Sequence, residues 1–291
     1  MNKKILVIIV LVILVAGGGW YFKDSLLSLY HSTANNLQSF QKGDLGNVLN
    51  EVKREILTSK PLNVGGKEND VVLTKVKVIA ETNFQRYDNG QLPPLIENAK
   101  LDAAALAKAK DLFAKQYFEH VSPSGVDPGT LVKKYGYEYI VSGENLILGN
   151  FTDEKEVVQD WMNSPGHRAN ILNTRFADIG VAMVKGTYEG RTVWIGVQEF
   201  GLPLSACPAP SSTLKNEIDA GKAQLDQMAA QLDAKKQQIE NTDRSSPEYN
   251  QLVGEYNAMA DQYNTRAQEI KNLITEYNKQ INTFNACVAG K

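Results

Sequence analysis

Trp161-Met162-Asn163-Ser164-Pro165-Gly166-His167-Arg168-Ala169-Asn170-Ile171-Leu172 is the run from which the middle of the chain can be read. Ser164 can N-cap a short helix, and Pro165 suits its first position. His167 then falls in the first turn. Upstream, Thr152 can N-cap a preceding helix, with Asp153 and Glu154 favourable beside its positive end. Val157, Val158, Trp161 and Met162 form its apolar face. Downstream, Ile179–Val184 and Thr192–Phe200 are β-rich, and Gly186 and Gly190 flank the segment joining them, which predicts an antiparallel hairpin. Ile79–Tyr87 reads as a helix. So does Leu101–Phe118, with Leu101, Ala105, Leu112 and Phe113 on one side. The mixture predicts an α+β domain over 71–203, helices packed on a small antiparallel sheet.

Three further strings stand out: Tyr117-Phe118-Glu119-His120-Val121-Ser122-Pro123-Ser124-Gly125, Ser142-Gly143-Glu144-Asn145-Leu146 and Ala177-Asp178-Ile179-Gly180-Val181. Together with the first run they hold two of the three histidines, each beside turn residues. Two His and one carboxylate are a minimal set for a zinc ion with an open position. They also suit metal-free acid–base work. Equally, His120 and His167 could hydrogen-bond backbone and hold loops, since their spacing matches no local metal motif. No GxSxG is present, no Cys lies near a His, and no P-loop or dinucleotide glycine pattern occurs.

Composition narrows the classes. The chain has 291 residues, 31 Lys+Arg against 33 Asp+Glu, and a formal net charge of −2. It lacks the basic excess or stripe of a nucleic-acid binder. An apolar fraction of 43% suffices for a core, and a mean hydropathy of −0.31 excludes a polytopic membrane protein. Two cysteines cannot build a four-cysteine zinc site.

Lys3 and Lys4 precede the uninterrupted apolar run Ile5–Ala16, with Trp20, Tyr21 and Phe22 following. As a helix, Ile5–Phe22 reaches roughly 27 Å, about the hydrocarbon thickness. This predicts a single-pass transmembrane signal anchor over 1–23, basic end inside and the bulk extracytoplasmic. Secretion after cleavage of a signal peptide is the alternative. Residues 24–70 read as a helical juxtamembrane spacer ending in a linker, Pro61–Asp70, with His31 at a surface or interface.

Residues 204–291 are a separate object. Leu214, Ile218, Gly221, Leu225, Met228, Leu232, Lys235 and Ile239 form a heptad seam with one polar break at Lys235. A second seam runs from Tyr249 to Val288 with a stutter at Tyr263–Ala267. Folding back near 247 pairs Gly221 with Ile274 and Leu225 with Ile270, an antiparallel α-helical hairpin. The same reversal brings Cys207 to Cys287 and predicts a disulfide, which an extracytoplasmic location permits. Opened out, the hairpin could instead pair two chains.

At its four strings the chain resembles the CAP superfamily (SCP-like, after sperm-coating and pathogenesis-related proteins), in its bacterial branch, over about residues 76–202. The resemblance implies a three-layer α-β-α sandwich and a large open cleft lined by a His/Glu tetrad. Three members carry over onto His120, Glu144 and His167; Ser164 stands where eukaryotic members have a second Glu. Some members hold a divalent metal through the two histidines, which makes His120 and His167 candidate zinc ligands.

The first expectation is therefore a bacterial envelope binding module, anchored in the membrane, whose cleft captures a lipid, peptide or envelope component, with no established catalytic activity. The alternatives are a Zn-dependent envelope hydrolase using the same residues and a structural protein assembling through the hairpin.

Overall fold

The computed structural model describes residues 53–290. The anchor expected over 1–23 and most of the spacer, His31 included, lie outside them. Among the described residues no helix is long and apolar enough to cross a membrane. The chain divides into two compact units, one formed by the described residues up to Ala209 with the end of the chain from Phe284, the other by Pro210–Thr283.

The first unit is built on a six-stranded mixed sheet. Its heart is antiparallel: β4 (Tyr139–Gly149), β6 (Arg191–Pro203) and β5 (Asp178–Tyr188). Parallel strands extend it at both edges. β3 (Ile96–Glu97) lies beside β5, while β1 (Glu55–Thr58) and β2 (Leu62–Gly65) lie in succession along the free side of β4. The end of the expected helical spacer is thus strand at Glu55–Thr58, the expected linker Pro61–Asp70 is partly strand, and the sheet is not purely antiparallel. A parallel partner distant in sequence leaves no turn signature, so only tertiary pairing reveals it.

Both faces are covered, which makes three layers. On one face Val141 and Ile147 of β4, Ile179 and Val181 of β5, and Trp194 and Phe200 of β6 meet helices α1 (Lys75–Asp88), α4 (Glu154–Asn163) and α5 (Pro165–Ile171). On the other, Leu146, Leu148, Ala182, Ile195 and Val197 meet α2 (Ala99–Lys115) through Ala105, Ala109 and Leu112. Successive strand residues point to opposite faces, so unbroken apolar runs are what a sheet covered on both sides requires. A short helix, α3 (Pro128–Lys134), packs Val132 against Leu101, Tyr137 and Tyr139.

Helix α4 is capped by Asp153, whose side chain accepts from Glu156 N, and not by Thr152. Thr152 instead donates its backbone N–H and its hydroxyl to the Glu156 carboxylate. The carboxylate one residue nearer the helix is the better acceptor for the exposed N–H groups.

The second unit pairs α6 (Ser212–Asn241) with α7 (Pro247–Val288) around Ile218, Leu225, Leu232, Tyr263, Ile270 and Ile281. Its register differs from expectation by one helical turn. A Cβ on Gly221 would meet Ile270, not Ile274, and Lys235 pairs with Glu255 at 2.7 Å. The reversal lies within 242–246, before the expected centre. Cys207 and Cys287 are joined as expected, Cα atoms 5.7 Å apart, and pack with Ile140 and Phe284 in the first unit.

Candidate functional site

Glu144 is held near the middle of β4, fully buried, on the face that meets α2. His120 comes from the loop after α2. That loop is pinned from below by Lys108, a lysine on the apolar side of α2 with 3% exposure. Its ammonium donates to the carbonyls of Glu119 at 2.7 Å and His120 at 2.6 Å and sits over the Tyr117 ring. Burial lowers the Lys108 pKa, and the charge of Glu144 acts against that. Loss of one ammonium would strand two carbonyls.

His120 Nδ1 meets Glu144 Oε1 at 2.6 Å, and Nε2 bonds the backbone carbonyl of Ser59. A carbonyl only accepts, so Nε2 carries its proton.

His167 lies in the first turn of α5, fully buried. Ser164 ends α4 and begins α5, with Pro165 following, yet its side chain makes no cap bond. Its Oγ bonds His167 Nδ1 at 2.8 Å, while His167 Nε2 has no partner. Burial, assisted by the charge of His120, drives the His167 pKa down to about 4, so this ring is neutral at physiological pH. The structure therefore links His120 to Glu144 directly and brings His167 near His120 without a bond between them.

A second carboxylate completes the cluster. Glu199 on β6 stands opposite Glu144 in the ladder, and both are fully buried. Burial and the neighbouring Glu144 push the Glu199 carboxyl well above its ordinary range, so it is kept protonated. Apart from the hydrogen bond between the two carboxyls, both Glu199 oxygens and Glu144 Oε2 lack a partner.

The other face of the same strands carries a neutral relay. Asn170 donates to Asn145 Oδ1 at 2.9 Å, Asn145 donates to Gln198 Oε1 at 3.1 Å and to the His167 carbonyl at 3.2 Å, and Gln198 donates to Thr82 Oγ1 at 2.8 Å. Thr82 in turn donates to the Val78 carbonyl. This chain ties α5 through β4 and β6 to α1. Arg86 adds bonds from α1 to the carbonyls of Ile171 and Asn173. Asn145 and Asn170 thus orient the elements that carry Glu144 and His167.

The expected open cleft is closed over these groups. Ser59 lies between His120 and α5: a Cβ on Gly166 would come 1.9 Å from the Ser59 hydroxyl. Nor do the two histidines fit a zinc ion in this arrangement. Both His120 nitrogens are bonded within the chain, only His167 Nε2 is free, and among the described residues no group of three His, Cys, Asp or Glu is arranged to hold a metal.

Strand, loop and helix bring a histidine, a carboxylate and a second histidine to one place, in the order of the strings quoted above. Residues 81–200 match the cysteine-rich secretory protein family, CAP. Residues 81–200 are a CAP domain. A curated relative of Bacillus subtilis (strain 168), "Uncharacterized protein YkwD", is 40% identical over 148 residues, 51% of this chain and 52% of its own. "Uncharacterized membrane protein YlbC" of the same strain is 27% identical over 112 residues, 38% of this chain and 32% of its own. The chain thus spans about half or less of the length of these relatives. Among solved structures, an extracellular protein containing a SCP domain from Bacillus anthracis str. Ames is similar at 28% identity and a TM-score of 0.37, over 43% of this chain and 39% of that one.

Four residues at this site escape a reading of the motifs. Glu199 and Gln198 interrupt an otherwise apolar strand, and Lys108 occupies a core position of α2 between Ala104, Ala105 and Leu112. A polar residue at an apolar position is a legible signal in both elements. Ser59 has none, because it arrives from beyond the domain's motifs.

Proposed function

We propose that this protein is an extracytoplasmic binding module whose CAP domain captures an envelope component at the site of His120, Glu144 and His167. The observation that carries the reading is the occupation of His120. One ring nitrogen is fixed by a buried carboxylate, and the other presents an N–H to a carbonyl oxygen. That is the arrangement of a recognition donor held in one orientation. The cluster around it is likewise fixed: a protonated Glu199, a neutral His167 and a Lys108 spent on two carbonyls.

An extracytoplasmic location is supported by the Cys207–Cys287 disulfide, a bond at home in oxidising compartments. The apolar stretch Ile5–Phe22 would tether the protein to the membrane.

The test is retention. The full chain and its His120→Gln variant are incubated with solubilised envelope extract, and native mass spectrometry identifies what each holds. The reading expects a species bound by the parent and lost by at least ten-fold in the variant. Retention of nothing, or release of a chemically cleaved product, overturns it.

A further inference from the structure

Residues 55–65 follow the free edge of β4 as two short parallel strands. Glu55–Thr58 pair with Val141–Glu144, and Leu62–Gly65 pair with Ile147–Gly149. Between them three residues, Ser59, Lys60 and Pro61, stand against only two on β4, Asn145 and Leu146. The segment therefore leaves the ladder over the site. Pro61, with no backbone N–H, suits that departure. At the crest Ser59 gives its carbonyl to His120 and sets its small side chain against Gly166.

The surface beneath lets the segment approach closely, because glycines face it. A Cβ on Gly166 would strike the Ser59 hydroxyl at 1.9 Å, and one on Gly149 would strike Val64 at 2.5 Å. Asn170 Nδ2 reaches the Leu57 carbonyl at 3.4 Å. Leu57 and Leu62 pack against the main core cluster, but the rest of the segment is lightly held. Most of its residues are exposed, its strands are four residues each, and the ion pair of Glu55 with Arg175 lies at the surface, where such pairs add little. Short, exposed edge strands are drawn from the low-stability end of a structure.

We infer that the groove formed by the β4 edge, His120, Gly166 and Asn170 is a binding site for an extended peptide, and that residues 55–65 occupy it as a tethered stand-in for that ligand. Such a peptide adds a strand parallel to β4, so its affinity comes from main-chain bonds. It presents a small residue at Gly166 with its carbonyl on His120, and a proline two positions later where no N–H is needed. A competing peptide must displace the tethered segment, so the unmodified chain is self-inhibited. The inference rests on the binding-module reading and narrows its ligand to polypeptide.

The probe is a fluorescein-labelled peptide copying Glu55–Gly65, Glu-Ile-Leu-Thr-Ser-Lys-Pro-Leu-Asn-Val-Gly. It is titrated by anisotropy against the full chain and against Thr58→Pro, which removes a pairing position from β1 without touching the groove. Thr58→Pro is expected to bind the peptide at least ten-fold more tightly than the parent, and Thr58→Pro with His120→Ala to lose that gain. No binding by a folded Thr58→Pro chain overturns the inference. Hydrogen exchange on the unmodified chain decides independently of any variant. Amides of Ile56–Val64 are expected to exchange at least a hundred-fold faster than those of Val193–Phe200; equal protection makes the segment a permanent strand and overturns it. A null here alongside a species retained from envelope extract discards the peptide groove and leaves the binding module standing.

Discussion

Glu144 and Glu199 face one another across the β4–β6 ladder, both fully buried and hydrogen-bonded to each other, and Glu144 is also bonded to His120. Two carboxylates so placed cannot both ionise cheaply, and the proton settles on Glu199. A carboxyl raised in the folded state stabilises fully below its ordinary pKa of 4.5, and that contribution is lost as pH rises toward the folded value. Glu199→Gln mimics the protonated form. It should leave stability near pH 5 within about 1 kcal/mol of the parent. It should also flatten the decline in stability as pH rises above 4.5, as read by urea unfolding at several pH values. A decline of unchanged slope would show that Glu199 is ionised.

His167 works in the opposite direction. Its pKa falls from 6.5 to about 4 on folding, so the unfolded chain binds the extra proton between those values. Stability should therefore fall as pH drops from 6.5 toward 4, by up to roughly 3 kcal/mol for this one group. His167→Gln, which stays neutral, should remove most of that acid-side loss, measurable as a smaller change in Tm between pH 7 and 4.5.

Lys108→Met tests the support beneath His120. The substitution keeps the apolar stem and leaves the carbonyls of Glu119 and His120 without their donor. A cost of about 2–4 kcal/mol is expected from stranding buried acceptors. The His120 ring resonances should broaden or shift in the folded variant, whereas a mere packing defect would leave them in place.

The disulfide closes a separation of 80 residues. In the chain-entropy account, Cys207→Ser with Cys287→Ser should cost about 4 kcal/mol, less any native strain. The measurement is denaturant unfolding of the double variant beside the parent, with the parent under reductant as a second route to the same loss. A loss below about 1 kcal/mol would mean the hairpin already holds the two positions together.

Much of this protein was legible in its residues, because the signals were local. The β5–β6 pair, the helices at 75–88, 99–115 and 154–163, and the helical hairpin all follow from spacing of apolar residues and from turn chemistry. The disulfide followed because two heptad seams imply a reversal, and a reversal implies which ends meet. Two of the errors were local too. The cap moved from Thr152 to Asp153, and the hairpin slid by a turn, so that Gly221 faces Ile270. Neighbouring polar residues compete for one cap, and a repeating seam fits a shifted register nearly as well as the native one.

The sequence pointed to His120, Glu144 and His167 through the family resemblance that its four strings carry, while their spacing alone left a loop-holding role open. Tertiary structure alone decided what state they are in. Glu199 reaches Glu144 through strand pairing, Lys108 reaches the His120 loop from across a helix, and Ser59 arrives along a parallel edge, 61 residues away in sequence from His120. The physical reason is that protonation and access depend on desolvation and on neighbours in space. Neither is written in the periodicity or the turn chemistry of a single segment.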